Sequence, residues 1–276
     1  MDNPAMTAFT DFASPEPEPE DGQDAAAQSR LSLARLPEPR FTQADADALN
    51  QRFAKVPAAQ MLREVLTDIL PGQVSMVSSF GTESSVLLHL AAQADPSVPV
   101  IFIDTLRLFP ETTRYRDQLA KLLGLTNVQT FEPLPEKLAE ADPKYLLWSY
   151  NPDACCAVRK VEPLDRALTG VGAWISGRKG FQAKTRTNIP LFEIDDGRLK
   201  INPLARWTRE DLVAYMEQYE LPHHPLEADG YLSIGCMPCT SPVKPGEDPR
   251  AGRWRGWDKT ECGIHKPVAP GDEPVF

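Results

Sequence analysis

Val74-Ser75-Met76-Val77-Ser78-Ser79-Phe80-Gly81-Thr82-Glu83-Ser84-Ser85 is the stretch on which the fold turns. Residues 74–80 are a short apolar run with β-branched members that passes into small residues, the pattern of a buried strand. Residues 83–93 follow as a helix, with Val86, Leu87 and Leu90 on one face. The loop between them is small and rich in hydroxyls. Such a loop lets backbone N–H groups and a helix N-terminus face an anion. The same spacing also suits an ordinary tight turn with a serine cap. It is not a Walker loop, because the Gly-Lys-Ser/Thr ending is absent.

The alternation continues downstream. Residues 98–104 read as a second strand, followed by a helix that groups Tyr115, Leu119, Leu122 and Leu123 and stops at Gly124. Residues 128–131 are a third strand. A helical stretch spans 158–168, with Pro163 near an end or at a kink. Residues 173–176, closed by Gly177, are a fourth strand, and 191–194 a fifth. Thr208 caps a helix expected to turn Leu212, Val213, Met216 and Tyr219 inward. Upstream, residues 43–70 read as two helices broken near Pro57.

Strands alternating with helices imply an α/β fold: a doubly wound parallel sheet covered on both faces. Ligands bind such sheets at the carboxyl ends of strands, where strand order reverses. The loops after Phe80, Asp104 and Ser176 are therefore the candidate site, with Asp104 and Thr105 placed for a nucleotide. Residues 1–40, with Ser14-Pro15-Glu16-Pro17-Glu18-Pro19-Glu20, are too poor in apolar side chains to order themselves, so a disordered leader is expected. Residues 41–245 form the α/β domain and 246–276 a mobile tail dense in Gly, Pro and Arg.

The 276 residues are 42% hydrophobic and carry a net charge of -10, which disfavours nucleic acid as a partner. An anionic substrate must instead meet a local cluster of basic side chains. No apolar run is long enough to span a membrane, and no basic-then-apolar signal opens the chain, so a cytoplasmic, reducing location is expected. There an odd set of five cysteines points to metal binding or catalysis rather than disulfides.

Four of them form two pairs: Cys155-Cys156, and Cys236-Met237-Pro238-Cys239. Such a set serves a tetrahedral zinc ion, an iron–sulfur cube or unliganded redox pairs. Adjacent side chains diverge, and a larger cluster tolerates that divergence better than one ion does. The fifth, Cys262, stands apart in Glu261-Cys262-Gly263-Ile264-His265. By itself it is an unremarkable tail cysteine, and His265 a surface histidine. Arg250 and Arg253 in Pro245-Gly246-Glu247-Asp248-Pro249-Arg250-Ala251-Gly252-Arg253 suit sulfate or phosphate oxygens, or simply a solvated loop.

These motifs resemble known ones. Ser79-Phe80-Gly81-Thr82-Glu83-Ser84 is similar to the PP-loop of the adenine-nucleotide α-hydrolase-like family, Ser-Gly-Gly-x-Asp-Ser, with Phe80 and Glu83 as departures. Those departures look like the reductase branch, which binds a nucleotide without hydrolysing ATP. Cys155-Cys156-Ala157-Val158-Arg159-Lys160-Val161-Glu162-Pro163-Leu164 resembles the Cys-Cys-x-x-Arg-Lys-Val-x-Pro-Leu segment of the iron–sulfur adenylyl-sulfate reductases. Ile234-Gly235-Cys236-Met237-Pro238-Cys239-Thr240 resembles their second cysteine motif, and residues 261–265 their Glu-Cys-Gly-Leu-His motif. Gln182-Ala183-Lys184-Thr185-Arg186 is similar to Gln-Ser-x-Thr-Arg, while Gly177-Arg178-Lys179-Gly180 departs from the more frequent Gly-Leu-Arg-Arg.

The resemblance implies a [4Fe–4S] cluster on Cys155, Cys156, Cys236 and Cys239, with Cys262 as nucleophile. It implies substrate contacts from Ser78, Ser79, Phe80, Gly81, Thr82, Ser84, Asp104, Thr105, Lys160, Gly177, Arg186, Arg250, Arg253 and His265. The reaction it implies is reduction of adenylyl sulfate to sulfite and AMP through an S-sulfocysteine, with thioredoxin or a similar dithiol protein as reductant, in sulfate assimilation. The four cysteines point away from the 3′-phosphorylated substrate of related reductases. Rival readings are that phosphoadenylyl-sulfate reductase, an ATP-dependent PP-loop enzyme and a zinc-stapled nucleotide-binding module. Self-association is left open.

Overall fold

The computed structural model describes residues 41–182 and 188–264. Thr42 opens α1 (Gln43–Arg52) with a reciprocal box: its side chain accepts from the Asp45 N–H, and Asp45 accepts from the Thr42 N–H. Pro57 separates α1 from α2 (Ala58–Glu64), which runs on into a π turn, Val65–Ile69. Then β1 (Val74–Val77) and α3 (Ser84–Ala94) form the expected strand–loop–helix unit. The strand stops at Val77 rather than Phe80. Ser78 N–H makes a last ladder bond to the Ile101 carbonyl, and Phe80 then takes a left-handed φ of 48° that no strand accommodates.

The units β2 (Val100–Ile103), α4 (Pro110–Leu123), β3 (Val128–Phe131) and α5 (Pro135–Ala141) follow. The helical stretch expected from 158 starts earlier, as α6 (Pro152–Cys156). A π turn (Ala157–Val161) joins it to α7 (Glu162–Ala167), with Pro163 in that helix's first turn. β4 (Ala173–Ile175) completes the parallel core. The expected fifth strand is half of a hairpin, β5 (Phe192–Asp195) and β6 (Arg198–Ile201), and α8 (Arg209–Gln218) closes the series.

The sheet order is β3-β2-β1-β4-β6-β5, with every pair parallel except β5 against β6. Asp196 (φ 50°) and Gly197 (φ 72°) make the hairpin turn, whose two positive φ values suit the strands' twist. That Asp-Gly pair is the signal that would have found β6.

Side chains alternate across the sheet with period two. Val74, Met76, Val100, Phe102 and Ile175 join the larger core under α2, α3, α4 and α8; Ile101 and Trp174 face the other way, onto Leu164, Ala167 and Leu168. Two helix faces were read too wide. Leu122, Val213 and Tyr219 are about half exposed, while Tyr115, Leu119, Leu212 and Met216 are buried. No helix among the described residues is long and apolar enough to cross a membrane. The leader expected over 1–40 lies outside the described residues.

Candidate active site

Strand order reverses between β1 and β4. There the loops leaving β1, β2 and β4 meet residues 232–235 and the C-terminal segment around a cleft of about 260 Å³. Ser78, Ser79, Gly81, Thr82 and Ser84 line it, as expected. Ser78 Oγ accepts from the Phe80 N–H at 3.2 Å, and Thr82 Oγ1 donates to the Leu232 carbonyl at 3.1 Å, so the loop is tied at both ends. Phe80 differs from expectation. Its ring is fully buried, edge-on to Phe102 at 5.5 Å, and faces the core instead of the cleft. A left-handed residue reverses the chain here, which turns that side chain inward.

Asp104 also stays out of the cleft: its carboxylate accepts from the Leu106 N–H at 2.8 Å, in a turn where Leu106 is left-handed. Thr105 does line it, as does Gly177. Arg186 and His265 lie outside the described residues.

Six basic side chains line the cleft: Lys160, Arg178, Lys179, Arg209, Arg250 and Arg253. This is the local concentration that an acidic chain needs to hold an anion. Arg178, Lys179 and Arg209 were not singled out from the sequence, although the first two directly follow Gly177 in a loop already marked by position. Lys179 pairs with Glu83 at 3.0 Å, Arg209 approaches Glu83 at 4.0 Å, and Arg178 pairs with Glu193. Arg253 stacks on Trp254 at 4.5 Å. A Cβ at Gly235 would lie 2.2 Å from the Arg253 guanidinium, so a side chain there would make that arginine shift from its place in the cleft.

Residues 246–264 lie against the domain. Trp254 is buried, and its backbone N–H donates to the Cys239 carbonyl at 3.0 Å. Lys259 pairs with Asp153, and Arg250 donates to the Thr260 carbonyl at 2.8 Å while facing Glu261 at 3.5 Å. These contacts bring Cys262, half-buried, into the cleft wall with Lys160. Burial disfavours the Lys160 ammonium, but the nearby sulfurs of Cys236, Cys262 and Cys156 outweigh it and push its pKa up to about 12.

The other four sulfurs line a second, smaller cavity. Cys155 and Cys156 close α6, whose first turn is capped by Asn151 accepting from the Ala154 N–H at 3.0 Å. Cys236 and Cys239 flank a tight turn held by the Met237 N–H donating to the Arg107 carbonyl at 2.8 Å. Burial, reinforced by the neighbouring sulfurs, pushes the Cys155 thiol up to about 12 and Cys239 to about 11; Cys156 is raised by burial too. Trp148 and Trp254 are apolar walls, and Arg107, Arg159 and Lys160 bring positive charge. Arg159 is almost fully buried. It donates to Asp142 at 2.8 Å and to the Thr105 carbonyl at 2.8 Å. Thr105 Oγ1 in turn lies 3.2 Å from Cys236 Sγ. Among the described residues, no three Cys, His, Asp or Glu side chains converge as the ligand set of one ion.

Comparison with known proteins follows the same lines. The model of the phosphoadenosine phosphosulfate reductase domain matches residues 73–242. The adenosine 5′-phosphosulfate reductase of Chelativorans sp. (strain BNC1) is 48% identical over 237 residues, covering 85% of this chain and 96% of that protein. That of Mesorhizobium japonicum is 49% identical, covering 80% and 87%. The phosphoadenosine 5′-phosphosulfate reductase of Gloeobacter violaceus is 42% identical, covering 69% and 81%. The crystal structure of phosphoadenylyl-sulfate reductase from Candida auris, a phosphate complex, superposes with a TM-score of 0.63 at 29% identity, covering 75% of this chain and 100% of that one.

Proposed function

The chain belongs to the phosphoadenosine phosphosulfate reductase family, and from that premise we propose that it reduces adenylyl sulfate to sulfite and AMP in cytoplasmic sulfate assimilation. The observation that carries the mechanism is the placement of Cys262 in the wall of the cation-lined cleft, beside Lys160, Arg250 and Arg253.

The nucleotide half of the substrate rests on the loop of Ser78, Ser79, Gly81, Thr82 and Ser84, with Thr105 and Gly177 beside it. Helix α3 points its N-terminus at that loop. Lys160, Arg250 and Arg253 hold the phosphosulfate and stabilise charge on the departing phosphate. Cys262 attacks as a thiolate, since the thiol is a poor nucleophile. Its Sγ bonds to the sulfate sulfur, the bond from that sulfur to the phosphate oxygen breaks, and AMP leaves. A thiolate of a reduced dithiol protein, thioredoxin or its like, then attacks Cys262 Sγ. The Cys262–sulfonate bond breaks with its electron pair on sulfite. The partner's second thiol resolves the mixed disulfide and returns Cys262 as a thiol. Residues 246–276 act in this scheme as the unit that carries the nucleophile.

The cysteine-lined cavity fits a [4Fe–4S] cluster held by Cys155, Cys156, Cys236 and Cys239. Cys155, Cys156, Cys236 and Cys239 line one cavity, and Arg107, Arg159 and Lys160 would offset the cluster's negative charge. When bound, the cluster would supply a structural staple and a fixed charge beside Lys160, while both electrons come from the dithiol. Anaerobic purification is expected to give about four irons per chain; stoichiometric zinc would overturn this part.

Enzyme mixed with adenylyl sulfate in the absence of reductant is expected to gain a sulfonate on the Cys262 peptide, read by mass spectrometry. Its absence would overturn the mechanism. The names of the Gloeobacter and Candida proteins favour one second reading, the 3′-phosphorylated nucleotide as substrate. Rates on the two nucleotides side by side decide between them.

A further inference from the structure

Cys262 is held from two sides. On its N-terminal side the hold is polar: Arg250 donates to the Thr260 carbonyl and faces Glu261, and Lys259 pairs with Asp153. On its C-terminal side the hold is apolar. Gly263 takes a φ of 86°, turning the chain so that Ile264 packs against the cluster of Ile101, Leu164, Leu168 and Trp174 beneath the sheet. The turn sits tightly on the chain below. A Cβ at position 263 would meet Val161 Cγ2 at 3.4 Å, and Val161 ends the π turn that carries Lys160.

The two holds respond differently to substrate. Arg250 lines the cleft, so a phosphosulfate competes with Thr260 and Glu261 for its guanidinium. The Arg250 part of the polar hold therefore loosens when it is most needed, leaving Lys259 with Asp153. The apolar hold also borders the cleft, but Ile264 carries no charge and no hydrogen-bonding side-chain group for the phosphosulfate to draw away. We propose that Ile264 is the positioning residue of the nucleophile: its side chain, packed against that apolar cluster, fixes Cys262 Sγ in the cleft while Arg250 turns to the substrate. The proposal rests on the reading of Cys262 as nucleophile, and a misplacement of about 1 Å can slow such a step about 10²-fold.

The test compares the parent enzyme with Ile264→Ala, Ile264→Leu and Gly263→Ala, all in the cluster-loaded full chain. Two rates are followed by peptide mass spectrometry: alkylation of Cys262 by iodoacetamide without substrate, and formation of the sulfonate adduct with adenylyl sulfate. Ile264→Ala is expected to speed alkylation about 5-fold or more as the segment is freed. It is expected to slow adduct formation about 10-fold or more, with substrate affinity held within about 2-fold. Ile264→Leu restores both rates, and Gly263→Ala behaves like Ile264→Ala without touching the anchor itself. Unchanged rates in Ile264→Ala, or a leucine variant as impaired as the alanine one, would overturn the proposal. A parent enzyme that forms no adduct sinks the nucleophile reading, while its alkylation series still judges the anchor.

Discussion

The substrate cleft and the cysteine cavity share Lys160 and Trp254 in their walls but treat charge in opposite ways. In the cleft, basic side chains sit beside partners that can be exchanged: Arg250 with Glu261, Arg209 with Glu83. Around the four cysteines the decisive pair, Arg159 with Asp142, is sealed from water and has a fixed geometry. A site that must bind and release an anion every turnover needs partners it can trade. A cavity that holds one permanent occupant needs its charge balanced once, during folding. Burying such a pair is itself no great gain, but breaking it leaves an uncompensated charge in the interior.

The contrast is tested most strongly by exchanging serine into each region. Cys262→Ser is expected to lower sulfite release by more than about 10³-fold while iron content and nucleotide binding persist. Cys236→Ser should do the reverse at the metal, losing iron and sulfide on analysis. If both variants lost iron, the two regions would not be separate devices. Next comes Asp142→Asn, expected to destabilise the chain by about 3–5 kcal/mol in urea unfolding, because Arg159 is left charged and buried. A loss under about 1 kcal/mol would mean that water reaches the pair.

Arg253→Ala probes the exchangeable side. A drop of about 10²-fold in kcat/KM is expected, near 2.7 kcal/mol, with a much smaller change in AMP affinity. Equal losses for substrate and AMP would place Arg253 on the nucleotide rather than the sulfate. The smallest effect concerns pH. His224 is buried, accepts the Leu226 N–H at Nδ1 and meets Thr112 Oγ1 with Nε2; burial holds its pKa down at about 4. The unfolded chain therefore takes up a proton that the folded one refuses. Stability is full above about 6.5 and declines as pH falls toward 4, by about 1–3 kcal/mol. His224→Gln should flatten that slope in unfolding curves measured at several pH values.

Much of this was legible in the linear pattern. Short apolar runs placed β1 to β4, and 3.6-period spacing placed the helices after β1 and β2, because burial leaves that mark, whereas the short helix Pro135–Ala141 carries too little periodicity to show. The adjacent and spaced cysteine pairs marked one cavity before its walls were known. Other features left weaker marks. Only the first strand of the β5–β6 hairpin shows in its apolar residues, and the second is marked by the Asp-Gly turn alone. Leu122, Val213 and Tyr219 lie on the apolar stripes of their helices yet are exposed, because helical spacing gives a stripe but not its width. The motif containing Phe80 and the strand-end position of Asp104 mark backbone near the cleft, and neither fixes side-chain direction.

What the amino-acid order determined by itself is local: which segments are strands and helices, which loops are small enough to approach an anion, and which sulfurs travel in pairs. These follow from interactions between residues close in the chain. Only the folded structure decided that Arg178, Lys179 and Arg209 join Lys160, Arg250 and Arg253 around one cleft, that Asp142 neutralises Arg159, and that Ile264 seats the segment bearing Cys262. Those contacts join segments far apart in the chain, and they form only once the sheet has set the distances between its loops.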